Sequence, residues 1–172
     1  TLGYVEQLYT FADRNRDPRE RAGGSRVVSI GYLALVREDV PHGAEDAEWA
    51  NCYDFLPWED WRQGRPALLD RVICPALAKW AEAAPEERQQ RNDRVSITFA
   101  TDDAPWDVER VLDRYELLYE AGLVREAARD SESTGEDDDE AEVVRSFALD
   151  HRLILATALG RLRGKLKYRP VV

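Results

Sequence analysis

The stretch Arg26–Arg37, RVVSIGYLALVR, decides the fold class, because it is apolar at most positions and contains neither proline nor an acidic residue. Such runs are typical of strands covered on both faces, so we expect a central strand here. The earlier stretch Gly3–Phe11, GYVEQLYTF, is rich in aromatic and β-branched residues and predicts a second strand. Residues 12–25 between them are polar and contain Asp17-Pro18 and Gly23-Gly24, which predicts a long hairpin.

The rest of the chain combines helical periodicity with shorter apolar runs. Pro66–Ala84 has apolar residues at helical spacing, and Pro75 should kink or divide the helix. Further helices are predicted at Pro85–Asn92, from about Asp102 to a C-terminal cap at Gly122, and from His151, capped by Asp150, to about Leu166. Further strands are predicted at Ala47–Phe55 and Arg94–Ala100, and Leu123–Ala127 fits either a strand or a helix tail. The sequence therefore predicts an α+β fold.

The charge distribution is uneven. The formal net charge is −10, and residues 130–142 hold eight of the acids and no base, so the remainder carries −10 + 8 = −2. We expect residues 130–142 to form a mobile loop. An acidic chain repels phosphate backbones, which argues against general nucleic-acid binding. Residues 151–172 are basic instead, and these cations either complement the helix dipole or contact phosphates.

The cysteines and the hydropathy exclude several classes of protein. Cys52 and Cys74 form no CxxC pair and no Cys/His cluster, so we expect two reduced thiols and no structural zinc. No apolar run approaches the ~20 residues of a membrane span, and no signal peptide is evident. These features favour a cytoplasmic protein. The chain begins at Thr1 and contains no Met, so we expect a fragment or a processed product.

Three stretches, in order along the chain, resemble the Nudix-related transcriptional regulators of NAD metabolism, the NrtR-like family. The first is EQLYTFAD at 6–13 followed by RDPR at 16–19, similar to the family's EQLYTFGD and RDPRG-type turn. The second is RVVSIGYLAL at 26–35, and the third is FALDH at 147–151 with LRGKLKYRP at 162–170. In the family, the last of these leads into a winged helix.

The resemblance implies a fold and a partner set. The fold would be a Nudix-like mixed β-sheet flanked by helices, and residues 1–172 would form a partial ligand-sensing domain. Within it, 58–129 would be a helical insertion, 130–142 an acidic mobile loop and 150–172 a linker helix. The implied ligand is ADP-ribose, NAD or a related nucleotide. The implied partners are a second copy in a homodimer, and DNA bound through a domain missing from this chain.

The polar loop of the hairpin is the predicted ligand site. Guanidinium groups bind pyrophosphates through paired hydrogen bonds, and the loop is rich in arginine. The alternative is a solvated turn held by salt bridges. The residues expected to bind the ligand, chosen mainly where they match the family's motif, are Asp13, Arg16, Asp17, Arg19 and Arg26.

A Nudix hydrolase needs a glutamate-rich helix that holds magnesium or manganese over a diphosphate. The nearest match here comprises Asp107, Glu116 and Glu120, but tyrosines stand where the motif has Arg and one of its metal-binding Glu residues, and an acidic amphipathic helix explains the spacing equally well. We therefore expect no catalytic residue, no metal ligand and no cofactor, and the sequence favours a sensor over an enzyme. The alternative is a fragment of an active Nudix pyrophosphatase, which would need Mg²⁺.

Other residue types offer weaker candidates. Several aromatic side chains could stack on an adenine, although such residues are more often core: Tyr9, Phe11, Tyr32, Trp49, Tyr53 and Trp58. His42 and His151 have no Ser or Cys partner nearby in the sequence, so a catalytic triad has little support.

Overall fold

The computed structural model describes residues 4–12, 18–36, 49–102, 104–130 and 151–168. The chain divides into two compact units, Thr1–Asn51 and Cys52–Val172. The described strands lie in the first unit and most of the helices in the second. The predicted α+β class is therefore confirmed.

The first unit is a β-hairpin. Strand β1 (Tyr4–Phe11) pairs antiparallel with β2 (Ser29–Leu35), and the register runs from Tyr4 opposite Leu35 to Phe11 opposite Ser29. A bulge interrupts the pairing between Gln7 and Tyr9. The predicted hairpin is thus confirmed. Over the described residues the sheet has these two strands, and the wider mixed sheet stays a prediction.

The second unit begins with two short 3-10 turns, Cys52–Asp54 and Pro57–Glu59. A π-helical segment, Leu69–Ile73, leads directly into the first of its α-helices. The helices of this unit are α2 (Cys74–Glu82), α3 (Arg88–Phe99), α4 (Val111–Glu120), α5 (Arg125–Asp130) and α6 (His151–Tyr168). The short helix that precedes them, α1 (Pro18–Arg21), belongs to the hairpin loop.

A single apolar core holds the second unit together. The 3-10 turns contribute Leu56 and Trp58, both almost fully buried. The helices contribute the remaining fully buried side chains of this core: Leu69, Leu77, Phe99, Val111, Leu117, Leu118 and Ala156. The predicted helical character of residues 58–129 agrees with these elements, and their status as an insertion stays a prediction.

Two predicted strands are wrong. Arg94–Ala100 lies almost entirely in α3, where Val95, Thr98 and Phe99 are buried. Their spacing of three and four residues suits one helical face, so packing overrides the β propensity of this run. In Ala47–Phe55, the described residues form an irregular segment and a 3-10 turn rather than a strand.

Pro75 changes the type of helix without dividing it, because helical structure continues unbroken from Leu69 to Glu82. It has no N–H and cannot complete an α-helical hydrogen bond, so it stands in the first turn of α2. Ahead of it the helix widens, and the Cys74 N–H bonds to the carbonyl of Leu69, five residues back. A π-helical turn contains about one residue more than an α-helical turn. The side of the helix that faces the core is therefore rotated in Leu69–Ile73 relative to α2. In this segment Val72 is exposed, while Ile73 is buried.

Helix α4 starts later than predicted, at Val111, and ends as predicted at Gly122. Gly122 adopts a φ of +73°, which favours glycine. The N–H groups of Gly122 and Leu123 bond back to the carbonyls of Tyr119 and Leu118, at 3.0 and 2.8 Å. These two bonds form a Schellman motif. After it the chain enters α5, so the strand alternative for Leu123–Ala127 is wrong.

Helix α6 packs closely on the start of α4. A Cβ atom added at Gly160 would lie 3.2 Å from the backbone oxygen of Glu109, and one at Gly164 would lie 3.1 Å from its Oε2. The small residues therefore let the helix approach. The cap residue Asp150 and most of the acidic stretch lie outside the described residues. No helix in the described ranges is long and apolar enough to cross a membrane.

Candidate functional site

The hairpin loop carries two of the five predicted ligand residues within the described part of the chain. Asp13, Arg16 and Asp17 lie outside the described residues. Arg19 and Arg26 are both exposed, one in α1 and one in the segment that leads to β2. The structure thus places these two guanidinium-bearing residues in one loop of the first unit.

The backbone of the loop is closed by glycines. The N–H groups of Gly23 and Gly24 bond to the carbonyls of Glu20 and Arg19, at 3.0 and 2.9 Å, and end α1. Gly23 has a φ of +86°, and a Cβ on Gly24 would lie 2.6 Å from the backbone oxygen of Arg19. Glycine is therefore required at both positions, and the turn that follows Arg19 has a defined path.

Arg26 is fixed at one end of its side chain. Its Nη2 donates to the carbonyl oxygen of Ala12, the residue that follows β1. This bond ties the two ends of the loop together. A guanidinium carries five N–H donors, so a single bond to a carbonyl leaves several for an anion. Exposed and partly held, Arg26 is suited to bind a phosphate group.

The aromatic candidates separate by burial. Tyr9 and Tyr32 are exposed, at 63% and 61%, although aromatic residues in strands are more often core. Phe11 and Trp58 are buried, which agrees with a core role. The guanidinium carbon of Arg62 lies over the ring of Tyr53, 4.8 Å from the ring centre. Among these candidates, the exposed rings of Tyr9, Tyr32 and Trp49 are accessible to a ligand.

Two of the three residues that approached the Nudix motif, Asp107 and Glu120, are engaged in hydrogen bonds or ion pairs. Asp107 accepts a hydrogen bond from the backbone N–H of Glu109, and Glu120 pairs with Arg94. Glu116 lies one turn before Glu120 on α4. Within the described ranges, no group of three or more His, Cys, Asp or Glu side chains is placed to hold a metal ion.

A polar cleft of about 380 Å³ opens between α3 and α4. Its lining mixes both charges, with Asp93, Arg94, Arg110, Asp113 and Glu116 around it. Partial burial raises the pKa of Glu116, and the neighbouring Asp113 adds to the effect while Arg94 opposes it. The pairs Arg94–Glu120 and Arg110–Asp113 neutralise much of the remaining charge. The cleft is thus an ion-paired surface rather than a concentration of one charge.

A buried charge cluster was not predicted from the sequence. The carboxylate of Glu59 accepts hydrogen bonds from Arg114 and from Arg163, and Glu59 and Arg114 are fully buried. Arg114 also donates to the carbonyls of Thr98 and Asp107 and covers the ring of Trp106 at 4.0 Å. Each of the three guanidinium nitrogens of Arg114 therefore donates to an acceptor, which is how buried charges are tolerated.

A second buried pair joins α5 to α6. Arg152 donates to Glu126 at 2.9 Å and to the carbonyl of Phe55. With Arg163 on Glu59 and Lys167 on Glu109, three of the cations of the C-terminal helix form internal ion pairs. The guanidinium of Arg163 already forms an ion pair with Glu59 inside the fold. This pair contradicts the alternative that Arg163 contacts phosphates.

The cysteines and the described histidine show no catalytic arrangement. Cys52 and Cys74 are free and half-buried, and burial raises the pKa of both thiols. Raised pKa values keep thiols protonated and unreactive. His151 is exposed at the start of α6, and His42 lies outside the described residues.

Comparison with known proteins identifies no family. No protein-family model matches the chain, and no curated protein matches it either.

Proposed function

We propose that this chain senses a nucleotide derived from NAD, such as ADP-ribose, and binds it without hydrolysis as part of a transcriptional regulator. The observation that carries the proposal is the exposed Arg26, held by Ala12 in a glycine-closed loop. The resemblance of residues 6–13, 16–19 and 26–35 to Nudix-related regulators supports the choice of ligand.

The chemistry of the loop suits a pyrophosphate. Arg19 and Arg26 can each present a planar guanidinium, which matches the oxygens of a phosphate group better than an ammonium does. The glycine-closed backbone lowers the entropy that the loop would lose on binding. Exposed aromatic rings on the same hairpin, Tyr9 and Tyr32, provide surfaces for a base.

Sensing requires more than binding. A ligand shifts a conformational equilibrium only by its difference in affinity for the two states. In the proposal, the ligand connects the two strands and the loop of the hairpin, and this change is transmitted to a DNA-binding domain of the regulator. A homodimer would then match the two-fold symmetry of a DNA operator.

Isothermal titration of the chain with ADP-ribose tests the ligand. We expect saturable binding without Mg²⁺, at least tenfold weaker in Arg26→Ala because one charge-assisted contact is lost. Arg88→Ala is the matched control, since Arg88 is an exposed arginine of α3 in the second unit. Unchanged affinity in Arg26→Ala, or equal losses in both variants, would contradict the proposed site.

The same samples distinguish a sensor from an enzyme. After incubation of ADP-ribose with the chain and Mg²⁺ or Mn²⁺, chromatography should recover the ligand intact. Release of AMP above a protein-free control would instead support the pyrophosphatase alternative.

A further inference from the structure

One face of the hairpin carries an exposed ring and an exposed amide side by side. In residues 27–35 exposure alternates from one residue to the next, and the even-numbered residues are the exposed ones. This alternation places Ile30 and Tyr32 on the same face of the sheet. Gln7 of β1 lies directly opposite Tyr32 and is exposed as well. Opposed residues have Cβ atoms about 4.5–5.5 Å apart, so the amide of Gln7 is within reach of a group stacked on the ring of Tyr32.

Tyr9, the other exposed tyrosine of the hairpin, lies on the opposite face. The bulge between Gln7 and Tyr9 shifts the alternation of β1, so that Tyr9 pairs with Gly31. Gly31 belongs to the odd-numbered, less exposed residues of β2. The ring of Tyr9 contacts the ring of the buried Phe11, with 5.4 Å between the ring centres. Of the two tyrosines, Tyr32 therefore shares its face with Gln7.

The separation between Arg26 and this face suits a nucleoside diphosphate. Arg26 is exposed and continues the even-numbered series toward the loop. Its guanidinium bonds to the carbonyl of Ala12, the residue after Phe11, and Phe11 pairs with Ser29. From Ser29 to Tyr32 the strand advances three residues, or about 10 Å. The base and the terminal phosphate of an extended nucleoside diphosphate are separated by a similar length, so a phosphate at Arg26 leaves the base at Tyr32.

We propose that Tyr32 stacks on the adenine of the nucleotide and that Gln7 hydrogen-bonds to its amino group, an inference that rests on the proposed function. Every base has a π face that an exposed aromatic ring can cover. A side-chain amide has one acceptor and two donors. The amide of Gln7 can therefore accept from the amino group of adenine and donate to a neighbouring ring nitrogen, as Gln and Asn do when they read this base in DNA.

Isothermal titration with ADP tests the position of the base. We expect Tyr32→Leu to weaken the binding of ADP about tenfold, because a stacked ring is lost. Tyr9→Leu is the matched control, since Tyr9 is equally exposed on the other face, and it should bind ADP as the wild type does. An unchanged affinity in Tyr32→Leu, or an equal loss in Tyr9→Leu, would overturn this placement.

A ligand without the amino group tests the role of Gln7. Purine riboside 5′-diphosphate differs from ADP only in lacking that group. We expect Gln7→Ala to weaken ADP about tenfold and this analogue distinctly less, because the hydrogen bond to the amino group is absent from the analogue complex in both proteins. Equal losses for the two ligands, or no loss for ADP, would show that Gln7 does not contact the amino group.

Arg26→Ala separates a failure of this inference from a failure of the proposed function. Because Arg26 contacts phosphates in the proposal, the variant should weaken ADP and the analogue by the same factor. If ADP binding depends on Arg26 but on neither Tyr32 nor Gln7, the phosphate site stands and the base site is wrong. If the wild-type chain binds neither ADP-ribose nor ADP, both the proposed function and the base site are wrong.

Discussion

At the scale of single residues, Glu59 is a buried acid that two arginines share. Its carboxylate is fully buried and neutralises Arg114, while Arg163 donates to the same Oε2 atom that Arg114 reaches at 3.1 Å. Because one anion serves two cations, the loss of this one group leaves more uncompensated charge than the loss of either arginine.

Replacing Glu59 should therefore destabilise the unit strongly. We expect Glu59→Ala to lower the free energy of unfolding by about 3–5 kcal/mol, the usual cost of removing one partner of a buried ion pair. Urea unfolding followed by tryptophan fluorescence measures this. Asp60→Ala is the control, because Asp60 forms an ion pair with the exposed Arg62, and exposed ion pairs contribute little to stability, so the expected loss is much smaller. Similar losses in both variants would contradict the role of Glu59.

Glu116 gives a prediction about pH. Its pKa is raised in the folded chain, first by burial and then by Asp113. A carboxyl whose folded pKa exceeds its unfolded pKa destabilises the fold once it is ionised, and the penalty disappears below the unfolded value. We expect Glu116→Gln to raise the free energy of unfolding at pH 7 and to have no effect below about pH 4. A gain that persists in acid would point to another cause.

The buried ion pairs show where the sequence was informative at this scale. Arg114 lies three residues after Val111 and four before Leu118, on the apolar side of α4, so its spacing was a usable signal of burial. Glu59 offers no such pattern, because its position depends on a 3-10 turn and on partners 55 and 104 residues away. Contacts at that separation are not encoded in local periodicity.

At the scale of elements, the sequence predicted the hairpin and the end of α4 at Gly122, while Pro75 changed the type of its helix and did not divide it. The hairpin depends on the residue types of its strands and loop, the change at Pro75 on a missing N–H, and the end of α4 on the positive φ of Gly122. Each of these depends on a few adjacent residues. The run Arg94–Ala100 was mispredicted because its β-branched residues also fit a helical face, and only packing against the core decides between the two.

The contact between α6 and α4 makes two glycines behave differently. At Gly160 the added Cβ meets a backbone oxygen, which cannot move alone, so Gly160→Ala should destabilise the unit by about 1 kcal/mol or more. At Gly164 it meets the end of the Glu109 side chain, which can turn away. Gly164→Ala should then stabilise by up to about 1 kcal/mol through helix propensity. Thermal unfolding compares them: stabilisation by both substitutions would show that propensity alone decides, and destabilisation by both would show that Glu109 does not turn away.

At the scale of the whole molecule, charge separates the chain into opposing regions. Residues 130–142 carry eight acids, and residues 151–172 carry six bases and no acid. Several of those bases form internal ion pairs, so the basic character available to a polyanion is smaller than the sequence suggests.

Deletion of residues 130–142 tests whether the acidic stretch screens the basic one. The deletion changes the net charge from −10 to −2, and we expect weak binding to duplex DNA to emerge at about 50 mM salt and to vanish at about 200 mM. Fluorescence anisotropy with a labelled duplex measures this. The intact chain serves as the control and should not bind. Equal anisotropy for both chains would rule out screening.

The sharing of Glu59 by two arginines also restricts how this sequence can diverge. Arg152 and Arg163 lie eleven residues apart on α6, which is about 16 Å along the helix axis. Their ion pairs with Glu126 and Glu59 connect the helix to the rest of the unit at two points. If Glu59 were replaced before Arg114 and Arg163, the intermediate sequence would fold poorly, because two cations would lose their shared anion. Replacement of 59, 114 and 163 together by well-packed apolar residues is compatible with the same architecture. Descendants of this chain should therefore keep all three or exchange all three.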